Sequence, residues 1–403
     1  MTEFSKSNSL SAAFINNSEQ RGSEEFLIAP NHHYAEFLDR PGIEDKDNFR
    51  EVSRSVLAQS VHKLANHFLK SGIREGNSIV IIGESSAWLM VAQMAALEAG
   101  ATVVHINPND KERIIALQIS DSKAKIAVAG SYSEVEKLSR ITDKMHSFPT
   151  DRGVTTTSIS LAQIVSVSDY RSWQVPPSNF ISFSSIVNNR TLSSVPPSTA
   201  FHLRPENTAF IEYVPHEQLL LKAVRITHAE RLESLSRNSR ADLFTDSDLI
   251  FLGEKVFGKW TLELMDLALL GGANLIFPTP PDRKTPSNIL EQDSFSSTLR
   301  KFSPQVTLVS DGFLKAAAED IEIEKSDWYP KRIQVNIAST GSFISRPFQY
   351  FLRKEYFGSD AKTVLPAQGA ENKGIEDAMT VFGYAPSMYN SSLENWPKRI
   401  FKL

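Results

Sequence analysis

Few side chains in this chain are both reactive in type and spaced for chemistry. His32 and His33 are metal-ligating types, but adjacent residues lack helical ligand spacing and no third candidate lies nearby, so they read as surface histidines. Glu217 and Glu371 could form a carboxylate pair for acid–base work, yet nothing fixes their separation. Lys222 could neutralise a phosphate, although a lone lysine in a surface loop is more often solvated. With no cysteine among 403 residues, disulfides, thiolate nucleophiles and cysteine-ligated zinc are excluded together. Thr227-His228 reads as the start of a helix, with Thr227 as its N-cap.

The elements that must position these residues follow an α/β rhythm. A chain with 41% hydrophobic and 22% charged residues and a net charge of −4 is ordinary globular material, with no concentrated basic face for nucleic acid. No stretch reaches the roughly 20 apolar residues of a membrane span, and the N-terminus lacks a signal-peptide core. A cytoplasmic protein is expected. The N-x-S/T triplets at Asn16, Asn189 and Asn390 are then chance. Apolar residues on one face between Arg50 and Lys70 predict an amphipathic helix closed by Gly72. Ser78 to Ile82 reads as a strand buried on both faces, Ala87 to Glu98 as a helix, Thr102 to Ile106 as a strand, Lys111 to Ile119 as a helix and Ala124 to Ala129 as a strand. Strands separated by such helices must be parallel.

Residues 1–24 look like a mobile polar tail, and 25–205 like a first α/β lobe whose segment 147–205 is irregular connection with a few short strands. Residues 206–403 then form a second lobe. It carries strands at Ala209–Glu212, Leu249–Leu252, Leu275–Phe277, Val306–Val309 and Ile333–Ala338. Its helices are expected near Ala229–Leu243, Trp260–Leu270, Asn288–Lys301 and Phe313–Glu319.

Lys70 to Gly76, Ala99-Gly100-Ala101 and Asn107-Pro108 occur in the order and near the spacing seen in the acyl-CoA synthetase, luciferase and peptide-synthetase adenylation superfamily. The chain resembles a degenerate, C-terminally truncated member of that family over roughly residues 25–375. The resemblance implies two doubly wound parallel-sheet lobes without the family's small C-terminal domain. In the family a glycine-rich phosphate loop of the form Tyr-Thr-Ser-Gly-Thr-Thr-Gly-x-Pro-Lys-Gly-Val precedes Thr-His. Here Tyr213, Lys222, Val224, Thr227 and His228 fall in register, while Val214, Pro215, His216, Glu217, Gln218, Leu219, Leu220 and Leu221 do not. A nucleotide-cradling loop needs free backbone N–H groups and no Cβ where it meets the phosphates. Pro215 removes a donor. Glu217 adds a charge that, about 4 Å from a phosphate at an effective dielectric near 20, costs roughly 4 kcal/mol per charge. Of the adenine-side turn only Gly341 survives, and Gln368, Gly369 and Glu371 stand where an aromatic, a glycine and a magnesium-assisting carboxylate are expected, Glu371 only after a one-residue deletion.

The resemblance therefore implies a pseudo-ligase with no catalytic residue, no metal, and no binding of ATP or magnesium. Its expected role is as scaffold or stabilising partner of an enzyme or acyl carrier protein in a fatty-acid, polyketide or peptide biosynthetic pathway, a phosphopantetheinyl transferase being one such enzyme. Leu219, Leu220 and Leu221 form the candidate interface if exposed, and a plug for the vacant cleft if buried. The alternatives are a residual acyl- or aryl-acid-activating ligase completed by a separate subunit, and a small-carboxylate binder.

Overall fold

The computed structural model describes residues 7–30, 49–84, 86–150, 153–167, 176–216, 220–239, 249–252, 259–277, 302, 306–308, 336–338 and 363–364. The chain separates into two compact units, the first Glu3–Glu233 with Lys255–Phe257, the second Ser234–Glu254 with Gly258–Leu403. The division falls beyond the 205/206 boundary expected from sequence, so the segment resembling a phosphate loop lies in the first unit.

In the first unit the order is α1 (Leu10–Gln20), β1 (Glu25–Pro30), β2 (Phe49–Ser53), α2 (Arg54–Lys70), β3 (Ser78–Ile82), α3 (Ala87–Glu98), β4 (Thr102–Ile106), α4 (Glu112–Ser122), β5 (Ile126–Ala129) and α5 (Tyr132–Thr142). There follow β6 (Met145–Thr150), β7 (Gly153–Ser158), β8 (Gln163–Ser166), β9 (Phe180–Ser182), α6 (Phe183–Val187), α7 (Thr199–His202), β10 (Thr208–His216), β11 (Leu220–Thr227) and the start of α8 (His228–Ser239). The main sheet runs β11-β10-β4-β3-β5-β8-β9, parallel throughout except that β11 pairs antiparallel with β10. β1 with β2, and β6 with β7, form antiparallel pairs.

The central strands carry no alternation because both faces are covered. Every residue of β3 and β5 is buried, and all twelve residues of α3 are buried too. Such a helix is buried all round rather than amphipathic. α2 is the amphipathic case: Ser53 caps its N-terminus, and Gly72, with φ +88, follows its C-cap Ser71 in the left-handed conformation that glycine adopts without strain. The strands β3 and β4 and helix α3 have the bounds their apolar runs predict.

The N-terminal segment does not behave as a polar tail. Ser9 caps α1 by accepting from Ala12 N–H, and Leu10, Ala13, Phe14 and Ile15 are buried. Asn17 Oδ1 accepts a 3.0 Å hydrogen bond from the buried Arg54, whose guanidinium lies 4.3 Å from the Phe26 ring centre. Polar residues in this segment therefore serve caps and buried contacts. Within 147–205 the few short strands expected include β8 and β9, which extend the main sheet by parallel pairing. α5 was not anticipated either, although Val135, Leu138 and Ile141 recur at helical spacing and are buried.

The second unit holds the rest of α8, β12 (Leu249–Leu252), α9 (Lys259–Gly271), β13 (Asn274–Ile276), β14 (Val306–Leu308), β15 (Asn336–Ala338) and β16 (Thr363–Val364). Its strands run β16-β15-β14-β12-β13, all parallel. Both units are thus α/β with mostly parallel sheets. The helices expected at 288–301 and 313–319 lie outside the described residues. No helix among the described residues is long and apolar enough to cross a membrane.

Candidate functional site

The segment resembling a phosphate loop is a β-hairpin. β10 does not end at Glu212 as its composition suggests; it continues to His216 and pairs with β11 from Thr208↔Thr227 to His216↔Leu220. Tyr213 lies opposite Ala223, Val214 opposite Lys222, and Pro215 opposite Leu221. Glu217 and Leu219 fall in the connection, outside the described residues, as do His32, His33, Gly341, Gln368, Gly369 and Glu371. Of the leucine run, Leu221 is half-buried and Leu220 belongs to β11.

The ladder bears directly on nucleotide chemistry. In a strand, successive N–H groups point alternately to opposite sides within the sheet plane. They cannot converge on one anion as the N–H groups of a phosphate nest do. Pro215 contributes no N–H at all. No glycine occurs between Ala209 and Thr227. The described residues of this segment do not fit a triphosphate.

The hairpin is fastened at several points. Tyr213 Oη donates to Asp121 Oδ2 at 2.7 Å and to the Gln118 carbonyl at 3.3 Å, both on α4. Burial, then the Asp121 carboxylate, pushes the Tyr213 phenol well above its ordinary range, so it remains a donor. Tyr213 and Ala223 pack against the core cluster that includes Val104, Ile115, Ile119 and Ile211. On β4, Thr102 Oγ1 donates to the Thr208 carbonyl at 3.0 Å. Lys222 is exposed in the ladder.

Thr227 and His228 are held by structural bonds. Glu230 N–H donates to Thr227 Oγ1 at 3.1 Å while Thr227 N–H donates to Glu230 Oε2 at 2.7 Å, a reciprocal capping box. Those bonds from Thr227, backbone first, hold the Glu230 carboxyl below its usual range. His228, 2% exposed, accepts at Nδ1 from Leu10 N–H at 3.3 Å. Burial lowers its pKa to about 4, so the ring is neutral with its proton on Nε2. It thereby satisfies an N–H of the first turn of α1, which has no partner within the helix. Beside it, the Arg231 guanidinium sits 5.5 Å from the Phe210 ring centre, and His105 stacks on Phe210 with centroids 6.4 Å apart. Burial, then the Arg231 charge, lowers the pKa of His105 to about 3; its Nε2–H donates to Gln93 Oε1 at 2.7 Å.

Sequence reasoning placed Tyr213, Pro215, Lys222, Thr227 and His228 on one segment, and the structure brings them onto one hairpin and its exit. It missed Asp121, Gln118 and Arg231, which are remote in sequence or carry no motif. Glu230 was legible, because Thr-x-x-Glu is a capping-box spacing. Among the described residues no group of His, Cys, Asp and Glu could hold a metal ion.

Residues 31–213 match the family model of AMP-binding enzymes. Similar solved structures include the nonribosomal peptide synthetase FmoA3 in an AMPPNP-bound form, with 14% identity and a TM-score of 0.62 over 90% of this chain. This chain spans only 31% of FmoA3. A long-chain-fatty-acid-CoA ligase (FadD1) from Archaeoglobus fulgidus gives 15% identity, a TM-score of 0.66, and coverage of 89% of this chain and 63% of that one. The N-terminal domain of FACL13 from Mycobacterium tuberculosis gives 13% identity, a TM-score of 0.66, and coverage of 90% and 76% respectively. The match to AMP-binding enzymes is thus confined to residues 31–213, and the solved structures show that the chain shares the fold of adenylate-forming ligases.

Proposed function

We propose that this chain is a non-catalytic, CoA-ligase-like cytoplasmic protein that serves as scaffold or stabilising partner of an enzyme or acyl carrier protein in a fatty-acid, polyketide or peptide biosynthetic pathway. A phosphopantetheinyl transferase acting on the carrier is one partner of that kind. The observation that carries this reading is the β10–β11 ladder, paired through Pro215↔Leu221 where a phosphate loop would need converging N–H groups. A chain with such a hairpin lacks the converging donors through which electrostatic preorganisation serves phosphoryl chemistry. The capping box and the neutral, buried His228 account for Thr227 and His228 without a ligand.

The test combines binding with turnover. A ligand at a hundred times its Kd stabilises the native state by about 2.7 kcal/mol. Millimolar ATP with magnesium is expected to leave the melting curve unmoved, calorimetry to show no saturable heat, and fatty and aromatic acids to elicit no pyrophosphate. Saturable ATP binding with pyrophosphate release would establish the residual-ligase alternative instead. Ligand-dependent stabilisation by a carboxylic acid alone would establish the carboxylate binder. Native co-purification with crosslinking is expected to recover a stoichiometric protein partner.

A further inference from the structure

Among the described residues the sheet of the first unit ends at β11, whose outer edge has no neighbouring strand in the sheet order. β11 is eight residues long, and its exposed side chains include Lys222, Val224 (39% exposed) and Arg225. Among the described residues neither Lys222 nor Arg225 forms an ion pair. A terminal strand presents main-chain donors and acceptors to any chain that can lie alongside it. We propose that the β11 edge is a docking site for an extended acidic segment of a partner protein, which adds as a further strand to the β11-β10-β4-β3-β5-β8-β9 sheet. This rests on the scaffold reading above and names the surface through which the partner is held.

Charge selects the occupant. Two copies of β11 laid edge to edge would place the Lys222 and Arg225 of one copy close to those of the other, and like charges on paired strands are destabilising. The same two cations attract carboxylates spaced along an incoming strand, while Val224, between them in sequence, offers apolar contact. In strand addition the main-chain bonds supply affinity and the side chains supply specificity. The edge is also firmly backed: Tyr213 on the adjoining strand is bonded to Asp121, and Ala223 packs on the core, so an added strand meets an ordered template.

The probe is a fluorescent eight-residue peptide of Val and Thr with two Glu three residues apart, so that as a strand it places one carboxylate on the Lys222 face and one on the Arg225 face, titrated into the full chain and followed by anisotropy. Saturable binding is expected, with slowed amide hydrogen exchange in residues 220–227. N-methylation of alternate peptide amides, which removes donors and leaves every charge in place, should abolish it. Lys222→Glu together with Arg225→Glu should weaken it at least tenfold. The N-methylated control uses the unaltered protein, so it decides the matter even if the double variant folds poorly. No saturable binding, or binding indifferent to N-methylation, overturns the strand-addition proposal. Crosslinks from a co-purified partner that fall on β11 support it. A stoichiometric partner whose crosslinks all lie elsewhere overturns it and leaves the scaffold reading standing, whereas recovery of no partner removes both.

Discussion

The turns leaving β3 and β5 and the hairpin joining β10 to β11 belong to one sheet and use glycine in opposite ways. At Gly83 an added Cβ would come within 2.9 Å of Leu89 Cδ1 and 3.0 Å of both N and Cα of Gly130. Backbone cannot retreat as a side-chain tip can, so glycine there is a packing requirement. The hairpin has no glycine from Ala209 to Thr227, and its strands pair through Pro215↔Leu221. A phosphate loop needs glycine for its ligand; a β-ladder needs none. Gly83 is a residue the fold requires, whereas glycine in a phosphate loop is a residue the nucleotide requires, and the hairpin lacks the second kind.

The largest test concerns how far the packed region reaches. α1 meets the foot of the hairpin through the Leu10 N–H to His228 bond and buries Phe14, 1% exposed. Phe14→Ala is expected to cost about 3–5 kcal/mol in denaturant unfolding. A loss below about 1 kcal/mol, the scale of an ordinary surface change, would restore the polar-tail reading.

The same junction predicts a pH dependence. The pKa of His228 falls from 6.5 in the unfolded chain to about 4 in the native one, and that of His105 to about 3. Below pH 6.5 the unfolded state takes up protons that the native state excludes, so stability declines as pH falls. The slope is about 1.4 kcal/mol per pH unit for each fully titrating group, and because the unfolded group is only half protonated at pH 6.5, one group contributes about 1.6 kcal/mol between pH 6.5 and 5. His228→Asn should make the slope shallower whatever it does to stability at pH 7. An unchanged slope would mean that His228 is protonated in the fold, contrary to its acceptor role toward Leu10.

A reciprocal pair of substitutions attacks the glycine contrast itself. Gly83→Ala should cost about 1–3 kcal/mol through overpacking. Ala223→Gly, opposite Tyr213 in the ladder, should cost about 0.5–1 kcal/mol. If the order of the two losses were reversed, the turn would be the permissive element and the hairpin the constrained one.

What could be read from the sequence divides along the same line. β3 is an unbroken apolar run and α3 and β4 are largely apolar ones, each bounded by glycine or proline, and their burial on most sides suits such composition. α1 was hidden because Ser11, Asn16, Asn17 and Ser18 dilute the Leu10, Phe14, Ile15 pattern, and only the tertiary contacts show where those polar groups go. The hairpin was hidden for another reason. A glycine-loop motif specifies residue types along one strand, whereas the pairing of Tyr213 with Ala223 and of Val214 with Lys222 depends on a register that a motif does not contain. Tyr213 and Asp121 lie 92 residues apart in sequence, so nothing local signals their bond.

The smallest effect tests whether Thr227 belongs with the fold or with a ligand. Its hydroxyl accepts from Glu230 N–H at 3.1 Å, and its own N–H donates to Glu230 Oε2 at 2.7 Å. Removing an N-cap hydroxyl costs about 1 kcal/mol, within a range of about 0.5–2. Thr227→Ala should therefore lower the unfolding free energy by that amount, and Thr227→Ser, which keeps the oxygen, should recover most of it. Glu230→Gln should weaken the return bond by removing its charge, and Thr227→Ala should then cost less in that background, because both groups serve one reciprocal motif. Additive losses, or a Thr227→Ala variant as stable as the parent, would free the hydroxyl from its capping role. Thr227 would then have to be explained by something the hairpin binds, and the contrast between packing residues and ligand residues would fail at its last position.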